Sequence, residues 1–283
     1  MTFDYHEPRS LDEALDLLAR HGDDAHLIAG GTATVLLMRQ GLLRPGHVVG
    51  LRGIEALRGI SRTADGGLRI GAMATHREVE RSPQASAYCA ALTECFASVA
   101  TVRIRNQATV GGNLAHADPA QDPPPMLVAL DATASVRSPR GERSLPVGEL
   151  AVDHFTTSLA QDEVITHVIL APIAPGTRAA YVKFLPRTAD DYATVSVAAT
   201  MRLAEDGTIT DVRVVLGAVG PTALRLTAVE DGLRGEMPER ADELLAAVPT
   251  LVEPLDDARG SAAYKREMAR VWTARALARL AAR

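Results

Sequence analysis

Two glycine pairs, Gly30-Gly31 and Gly111-Gly112, constrain this chain more than any other feature of its sequence. The first pair directly follows the apolar segment 26–29, which predicts a short buried strand, and a helix is predicted over 34–39. Glycine lacks a β-carbon, so its backbone adopts positive φ angles and approaches a ligand closely. Free N–H groups at the start of a helix bind phosphate oxygens, helped by the helix dipole. Segment 29–34 is therefore a candidate phosphate-binding loop, although a tight turn without a ligand explains it more simply when it is taken alone.

The second glycine pair lies in the segment 109–122, which begins Thr-Val-Gly-Gly-Asn and ends at Asp122. We expect the two glycines to expose backbone N–H groups, with the side chains of Thr109 and Asn113 beside them. Asp122 can accept hydrogen bonds from sugar or ribityl hydroxyls. Taken alone, the segment is explained equally well as a structured, proline-rich loop without a ligand.

Together, the two loops indicate more than either does alone. A dinucleotide carries a negatively charged pyrophosphate, and neutral backbone donors on both sides satisfy it without a cluster of basic residues. The spacing differs from the Rossmann fingerprint GxGxxG, and no Lys follows the first pair as it would in a P-loop. The sequence therefore predicts a dinucleotide held between two glycine loops and argues against either of those two folds.

The composition excludes several classes of function. Lys and Arg number 30 against 35 Asp and Glu, so no basic surplus is available to bind a nucleic-acid backbone. Aromatic residues make up only 4%, which argues against a base-stacking surface. No apolar stretch reaches the length of a membrane span, and residues 1–5 lack the pattern of a signal peptide. We therefore expect a cytoplasmic protein that neither binds nucleic acid nor spans a membrane.

The reactive side chains predict neither a metal site nor a nucleophile. Cys89 and Cys95 cannot complete a four-cysteine zinc or iron–sulfur site, and their Ala-rich helical setting predicts two buried free thiols. His116 and Asp118 lie close together, but no further ligands lie nearby in the sequence, so we predict no metal. No nucleophile–base motif is visible, and no catalytic residue is predicted.

The order of predicted elements divides the chain near Pro175-Gly176. Segment 1–54 is predicted to form a small α/β subdomain, and segment 55–176 a larger one in which residues 103–125 are irregular. Segment 177–283 is predicted to form a three-stranded antiparallel sheet followed by helices. The predicted fold class is therefore α+β.

Three segments resemble a known family. They are similar to segments of the FAD-binding medium subunits of molybdenum hydroxylases, in particular those of aerobic carbon monoxide dehydrogenases. The three segments are AGGT at 29–32, RIRNQATVGGNLAHADPAQD at 103–122 and YVKFLPRTADDYATVSVA at 181–198. The flavin domains of xanthine dehydrogenases and of nicotine and quinoline hydroxylases are similar too. The likeness covers almost the whole chain, and TVGGN is its most specific part. It implies a two-subdomain FAD-binding domain of the vanillyl-alcohol-oxidase (PCMH) type over 1–176, with a C-terminal α+β domain after it.

The resemblance implies one FAD per chain, bound non-covalently, and assigns its contacts. The family's pyrophosphate loop falls on Ala29, Gly30, Gly31, Thr32 and Ala33. Its second FAD-lining loop falls on Thr109, Val110, Gly111, Gly112 and Asn113. The family's acidic flavin-site residue falls on Asp122, and its lysine on the first C-terminal strand falls on Lys183. Its residue near the flavin ring falls on Tyr192. The chain departs from the pattern at Thr32-Ala33, where many relatives have His or Gln followed by Ser, so one hydroxyl donor is missing.

The resemblance also implies partners. A large subunit would hold the molybdenum cofactor and a small subunit the [2Fe–2S] clusters, in a dimer of heterotrimers, and this chain would pass the electrons through FAD to an external acceptor. The cysteine count agrees, because two cysteines cannot hold the clusters. Two alternatives stay open at this stage: a stand-alone FAD-dependent oxidase or dehydrogenase on the same fold, and a scaffold that has lost FAD.

Overall fold

The N-terminal part of the chain is a three-stranded parallel sheet with two helices. The structure is a computed structural model, and it describes residues 2–185, 188 and 190–282. The elements of the N-terminal part are β1 (Asp4–His6), α1 (Leu11–His21), β2 (Ala25–Ile28), α2 (Thr34–Arg39) and β3 (His47–Gly50). The strand order is β1-β3-β2. The Ser10 side chain caps α1 by accepting a hydrogen bond from the Glu13 amide. Leu15 and Leu18 of α1 are buried in one cluster with Val49 of β3, so α1 covers one face of the sheet.

The middle part contains a five-stranded antiparallel sheet and six short helices. The strands of the sheet are β4 (Ile60–Arg62), β5 (Leu68–Gly71), β6 (Thr133–Ser138), β7 (Gly141–Pro146) and β10 (Val164–Leu170). Two further strands, β8 (Ala151–Asp153) and β9 (Thr156–Thr157), pair only with each other. The helices of the middle part are α3 (His76–Arg81), α4 (Pro83–Tyr88), α5 (Ala90–Ala97), α6 (Val102–Arg105), α7 (Val110–His116) and α8 (Pro123–Ala129). The strand order is β4-β5-β10-β6-β7, and every one of these helices except α6 buries apolar side chains in the same core as this sheet.

The prediction of an irregular stretch over 103–125 was wrong. The segment contains most of α6, all of α7 and the start of α8. Thr101 and Thr109 cap α6 and α7 with their hydroxyls. Each of these helices has at most seven residues, which is too short for a periodic pattern to emerge, so tertiary packing decides their conformation. The Ala-rich stretch around Cys89 and Cys95, expected to be helical, is divided into α4 and α5, because Cys89 is extended.

The C-terminal part is a sheet covered by a long helix. Its elements are β11 (Arg178–Phe184), β12 (Val195–Leu203), β13 (Ile209–Gly217), β14 (Leu224–Arg225), α9 (Thr227–Leu233), α10 (Ala241–Leu245), α11 (Val248–Leu251) and α12 (Ala262–Ala281). The sheet has four strands where three were predicted, because the two-residue β14 is too short to recognise in the sequence. The fold class, α+β, is confirmed.

The strand β12 lies between two cores, and this explains its unbroken run of buried residues from Val195 to Met201. Val197 and Ala199 pack in the cluster that α12 covers, whereas Ala198 packs in the core of the middle part. Successive side chains of a strand point to opposite faces, so the C-terminal sheet is joined to the middle part through one of its faces. No helix within the described ranges is both long and apolar enough to cross a lipid bilayer.

Candidate functional site

A cavity of about 540 Å³ opens where the N-terminal part meets the middle part. Residues 29–34 line one side and residues 108–116 contribute to the other, so the two glycine segments face a common space, as predicted. The start of β10 and Met73 complete much of the wall. The volume lies within the range typical of sites for small molecules and cofactors.

The first glycine loop offers unused hydrogen-bond donors. None of the amides of Gly30, Gly31, Thr32 and Ala33 donates to a protein acceptor in the described part of the chain. Gly31 has a φ of +74°, a conformation that glycine adopts without strain. These four residues are half-buried and line the cavity, so their amides are available to an anionic or strongly polar ligand there.

The two loops touch each other directly. A β-carbon on Gly30 would lie 1.9 Å from the carbonyl oxygen of Gln107, and one on Gly112 would lie 3.2 Å from the β-carbon of Ala29. No other residue type fits at Gly30 unless the backbone shifts. The glycines therefore bring the loops together as well as leaving space for a ligand.

The amides of the second segment are not free, and here the prediction of exposed N–H groups was wrong. The Val110 amide donates to the carbonyl oxygen of Ala74 at 3.0 Å, and the Gly111 amide to that of Ala72 at 2.8 Å. The Gly112 amide donates to the Thr109 hydroxyl at 3.1 Å, and the Asn113 amide to the Thr109 carbonyl at 2.9 Å. These residues form the first turn of α7 and anchor it to the end of β5. Their contribution to the cavity is the shape of its wall, and the free amides belong to the first loop.

Two amide side chains supply unused acceptors. The Asn113 Oδ1 and Gln121 Oε1 atoms are buried and have no hydrogen-bond partner within the described residues, and both residues line the cavity. A buried acceptor without a partner is destabilising unless a ligand or water satisfies it. These two oxygens can accept hydrogen bonds from ligand hydroxyls, the role that the sequence suggested for Asp122.

Asp122 instead lies at the centre of a buried network. Its Oδ1 accepts a hydrogen bond from the Tyr181 hydroxyl at 2.6 Å, and its Oδ2 pairs with the Lys183 Nζ at 2.9 Å. Lys183 also donates to the carbonyl oxygen of Ser98 at 2.9 Å. Burial raises the pKa of Asp122, and the Lys183 ammonium and the Tyr181 hydroxyl oppose this shift. Asp122 directly follows Gln121 of the cavity wall, but none of the three side chains of this network lines the cavity.

Tyr192 lies outside the cavity wall, and 44% of it is exposed. The Arg259 guanidinium lies 5.7 Å from the centre of its ring. Burial of the hydroxyl, together with Asp118, raises the pKa of Tyr192 to about 12. The segment 181–198 that carried part of the resemblance also contains positions 186, 187 and 189, which lie outside the described residues.

The cavity is neutral in its lining. None of the described lining residues is Lys or Arg, and Glu163 of the lining is paired with Arg143 at 2.7 Å, which lowers the pKa of Glu163. A phosphate bound here would be held by backbone dipoles rather than by basic side chains.

Sequence reasoning missed several lining residues, among them His26, His116 and Phe155. The ring of Phe155 lies 5.3 Å from that of His116, and Phe155 has a φ of +52°. No sequence pattern indicates this pair, because the Phe155 amide reaches the site through a hydrogen bond to the distant Ala117 carbonyl. The two cysteines are buried, free and absent from the lining.

The comparisons with known proteins identify the family. Residues 1–172 match the FAD binding domain in molybdopterin dehydrogenase, and residues 180–280 match the CO dehydrogenase flavoprotein C-terminal domain. The chain belongs to the FAD-binding subunits of the molybdenum hydroxylases. The resemblance read from the glycine segments is thereby confirmed, and this flavoprotein subunit is part of an oxidoreductase.

Two curated relatives illustrate the similarity of this flavoprotein subunit to others. The carbon monoxide dehydrogenase medium chain of Hydrogenophaga pseudoflava is 34% identical over 277 residues, which cover 97% of this chain and 96% of the relative. The 6-hydroxypseudooxynicotine dehydrogenase complex subunit alpha of Paenarthrobacter nicotinovorans is 35% identical over 280 residues, 98% of this chain and 94% of the relative.

Solved structures agree with this flavoprotein assignment. The carbon monoxide dehydrogenase of Hydrogenophaga pseudoflava has a chain that superposes with a TM-score of 0.95 at 35% identity, covering 99% of this chain and 97% of that one. A chain of quinoline 2-oxidoreductase from Pseudomonas putida 86 gives a TM-score of 0.93 at 31% identity, with the same coverage.

The residues present fit FAD. The free amides of 30–33 suit a pyrophosphate, the orphan oxygens of Asn113 and Gln121 suit hydroxyls, and the apolar residues Leu37, Leu51 and Met73 of the wall suit an aromatic ring system. Because Gly30 has no side chain, the backbone of the first loop can approach the carbonyl oxygen of Gln107, just before the second segment.

Proposed function

We propose that this chain binds one FAD non-covalently at the cavity between its two glycine segments. In this role it accepts electrons from the [2Fe–2S] clusters of a partner subunit and passes them to an external acceptor. The observation that carries the proposal is that residues 30–33, whose four amides have no protein acceptor among the described residues, line a neutral cavity of cofactor size.

The chain's residues have separable roles in this proposal. The amides of Gly30 to Ala33 bind the pyrophosphate, and Asn113 and Gln121 accept hydrogen bonds from ribityl or ribose hydroxyls. Gly111 and Gly112 let α7 pack against Ala72 and Ala29, which sets the distance between the two walls. When bound, FAD supplies the redox chemistry, and the protein positions it and tunes its environment.

Asp122, Lys183 and Tyr192 are proposed as residues at the flavin end of the site. The buried Asp122–Lys183 pair directly follows Gln121 of the cavity wall, and the hydroxyl of Tyr192 is near Asp118 in the same segment. A rigid, buried charge network beside a cofactor fixes the local electrostatic field and thereby its redox potential. Lys183 is held by two acceptors, so its charge stays at a fixed place.

The proposed partners are a molybdenum-cofactor large subunit and a [2Fe–2S] small subunit, assembled as a dimer of heterotrimers in the cytoplasm. The two cysteines of the chain are buried and cannot ligate such clusters, which supports a separate cluster-bearing subunit. Val102 and Ile104 of α6 are exposed apolar side chains, and α6 directly precedes Gln107, which contacts Gly30. A partner that covers α6 would lie next to the cofactor loop.

We also propose that the domain boundary lies near residue 176, between the flavin domain (1–54 and 55–176) and the C-terminal domain (177–283). Two observations support it. Strand β10 ends at Leu170 and β11, the first strand of the C-terminal sheet, begins at Arg178. The connecting segment contains a turn at Gly176, whose φ is +80°.

The proposal is tested on the purified full chain, alone and after co-expression with the genes adjacent to its own. We expect a yellow protein with a flavin absorbance spectrum and about one FAD per chain, all of it released by heat or acid denaturation because no bond attaches it. A colourless protein that does not take up added FAD would contradict the proposal. Flavin that stays with the denatured chain would contradict non-covalent binding.

The alternative of a stand-alone oxidase is separated from the proposal by turnover. If the chain is an electron-transfer subunit, the isolated flavoprotein reduces artificial acceptors only when a reductant is supplied, and substrate oxidation needs the co-expressed assembly. Oxidation of a small substrate by the isolated chain at the rate of the assembly would favour the alternative.

A further inference from the structure

Three histidines from distant parts of the sequence meet at one end of the N-terminal sheet. His6 is the last residue of β1, His21 the last of α1, and His47 the first of β3. One ring nitrogen of each lies within 4.8 Å of the others. The chain has eight histidines in all, so nearly half of them gather at a single point.

The sheet explains why the three rings converge. In the parallel β1–β3 ladder Asp4 pairs with His47 and His6 with Val49, so these four side chains lie on one face. The same face is covered by α1, because Leu15 and Leu18 pack with Val49. The C-terminal end of α1 thus brings His21 over His47.

The contacts within the cluster are close. The Nε2 of His6 lies 3.1 Å from the Nδ1 of His47, and the rings of His21 and His47 stack with their centres 3.6 Å apart. The Oδ2 of Asp4 lies 3.8 Å from the same Nδ1 of His47. A single hydrogen bond between His6 and His47 accounts for one of these contacts and leaves the placement of His21 and Asp4 unexplained.

Three imidazoles with a neighbouring carboxylate are a donor set for a divalent transition metal. Zinc takes three or four N and O ligands at about 2.0–2.2 Å, so nitrogens that share it lie about 3–3.5 Å apart. The His6–His47 separation already has this value. The second side-chain torsion of histidine is broad, so a rotation of the half-buried His21 ring can aim its nitrogen at the same point.

We propose that His6, His21 and His47 form a zinc site, with Asp4 or water as the fourth ligand. Neutral imidazole is the form that binds a metal. The carboxylate of Asp4 supplies negative charge beside the cation.

The site lies at the end of the sheet opposite the cofactor loop. His47 pairs with Ala25 at the start of β2, whereas the glycine loop follows Ile28 at its other end. Zinc here would tie β1, α1 and β3 together and would stabilise the N-terminal part without contacting FAD. Zinc binding at this site is therefore independent of FAD binding.

The test uses the full, tag-free chain, treated with a chelator and then titrated with zinc chloride in competition with a chromophoric chelator. We expect one zinc per chain with a dissociation constant below about 1 μM, and a rise of a few degrees in the melting temperature. Cobalt in place of zinc gives visible bands without a thiolate charge-transfer band, which excludes the two cysteines as ligands. Flavin content stays unchanged after chelation.

Matched variants decide whether these residues are the ligands. His6→Asn and His21→Asn should each weaken zinc binding at least tenfold and abolish the thermal shift, whereas His154→Asn, at an exposed histidine outside the cluster, should change neither. Circular dichroism and flavin content establish that each variant is folded. The proposal fails if the wild type binds no zinc stoichiometrically, or if folded His6→Asn and His21→Asn proteins bind zinc as the wild type does.

Discussion

Gly30 faces the carbonyl oxygen of Gln107 so closely that a β-carbon at position 30 would lie 1.9 Å from it. This contact joins the loop that carries the free amides to the segment that leads into α7. Because both partners in the contact are backbone, neither can move aside by changing a rotamer. The geometry of the cofactor site therefore depends on the absence of a single methyl group.

Gly30→Ala is expected to separate the two loops and to lower the FAD content of the purified chain well below one per chain. The free energy of unfolding should fall by about 1–3 kcal/mol, as is usual for overpacking. Flavin absorbance and urea unfolding measure the two effects. Gly148→Ala is the matched control, because a β-carbon there meets only the Val128 methyls at 3.7 Å. Full flavin content in Gly30→Ala would contradict the loop contact.

The two glycines of the second pair should differ in their effects. A β-carbon on Gly111 would lie 2.6 Å from the Ala72 β-carbon, inside the core, so Gly111→Ala should chiefly lower stability, by about 1–3 kcal/mol. On Gly112 it would meet the Thr109 hydroxyl at 2.8 Å and the Ala29 β-carbon at 3.2 Å, so Gly112→Ala should chiefly lower FAD affinity. Chemical denaturation and flavin titration separate the two outcomes. Equal losses of stability in the two variants would show that this division of roles is wrong.

The sequence predicted the two glycine segments, their convergence on one cavity and the α+β class, because each depends on local chemistry that glycine and hydrophobic patterns reveal. It did not predict that the amides of Val110 and Gly111 are already bonded to Ala74 and Ala72. Those bonds are long-range, and no local pattern indicates which carbonyl oxygen will meet an amide. The same limit applies to Asp122, which directly precedes α8, because its partners Tyr181 and Lys183 lie about sixty residues further along the chain, in β11.

The histidine cluster was also missed, for a related reason. A sequence pattern indicates metal ligands only where they lie close together in the chain, whereas His6, His21 and His47 are brought together by the parallel pairing of β1 and β3 and by the packing of α1. β1 has three residues, too few to be predicted as a strand.

Lys183→Met should leave the Asp122 carboxylate buried without its charged partner and should cost about 3–5 kcal/mol at pH 8. Burial already raises the pKa of Asp122, and losing the ammonium raises it further. The folded variant then keeps a proton that the unfolded chain loses near pH 4, so its stability falls as the pH rises from about 4 through the raised pKa. The free energy of unfolding of the variant should fall by at most about 1.4 kcal/mol per pH unit from this one group.

Urea unfolding of the Lys183→Met variant at several pH values between 5 and 8 measures this slope. The double variant Asp122→Asn with Lys183→Met provides the control, because a neutral amide has no proton to lose and most of the additional pH dependence should vanish. A Lys183→Met protein as stable as the wild type at pH 8 would contradict the view that the buried pair matters to the fold.

His76 should make the fold sensitive to acid. Its ring is buried edge-on against Phe96 at 5.2 Å, and neither nitrogen meets a partner in hydrogen-bonding geometry among the described residues. Burial lowers the pKa of His76 to about 4, a shift that the nearby Thr109 backbone only partly offsets. The unfolded chain takes up this proton near pH 6.5, so the stability supplied by the neutral ring is lost as the pH falls from 6.5 towards 4.

The loss attributable to His76 is about 3 kcal/mol across that interval. His76→Leu removes this titrating group and should make the decrease in unfolding free energy between pH 6.5 and 4 smaller than in the wild type, while stability at pH 7.5 stays equal or rises because two unpaired nitrogens leave the core. His154→Gln, at an exposed histidine, should keep the wild-type profile. If His76→Leu and the wild type lost stability in parallel below pH 6.5, the acid sensitivity would have to come from other groups, and the assignment of a neutral, buried His76 would be wrong.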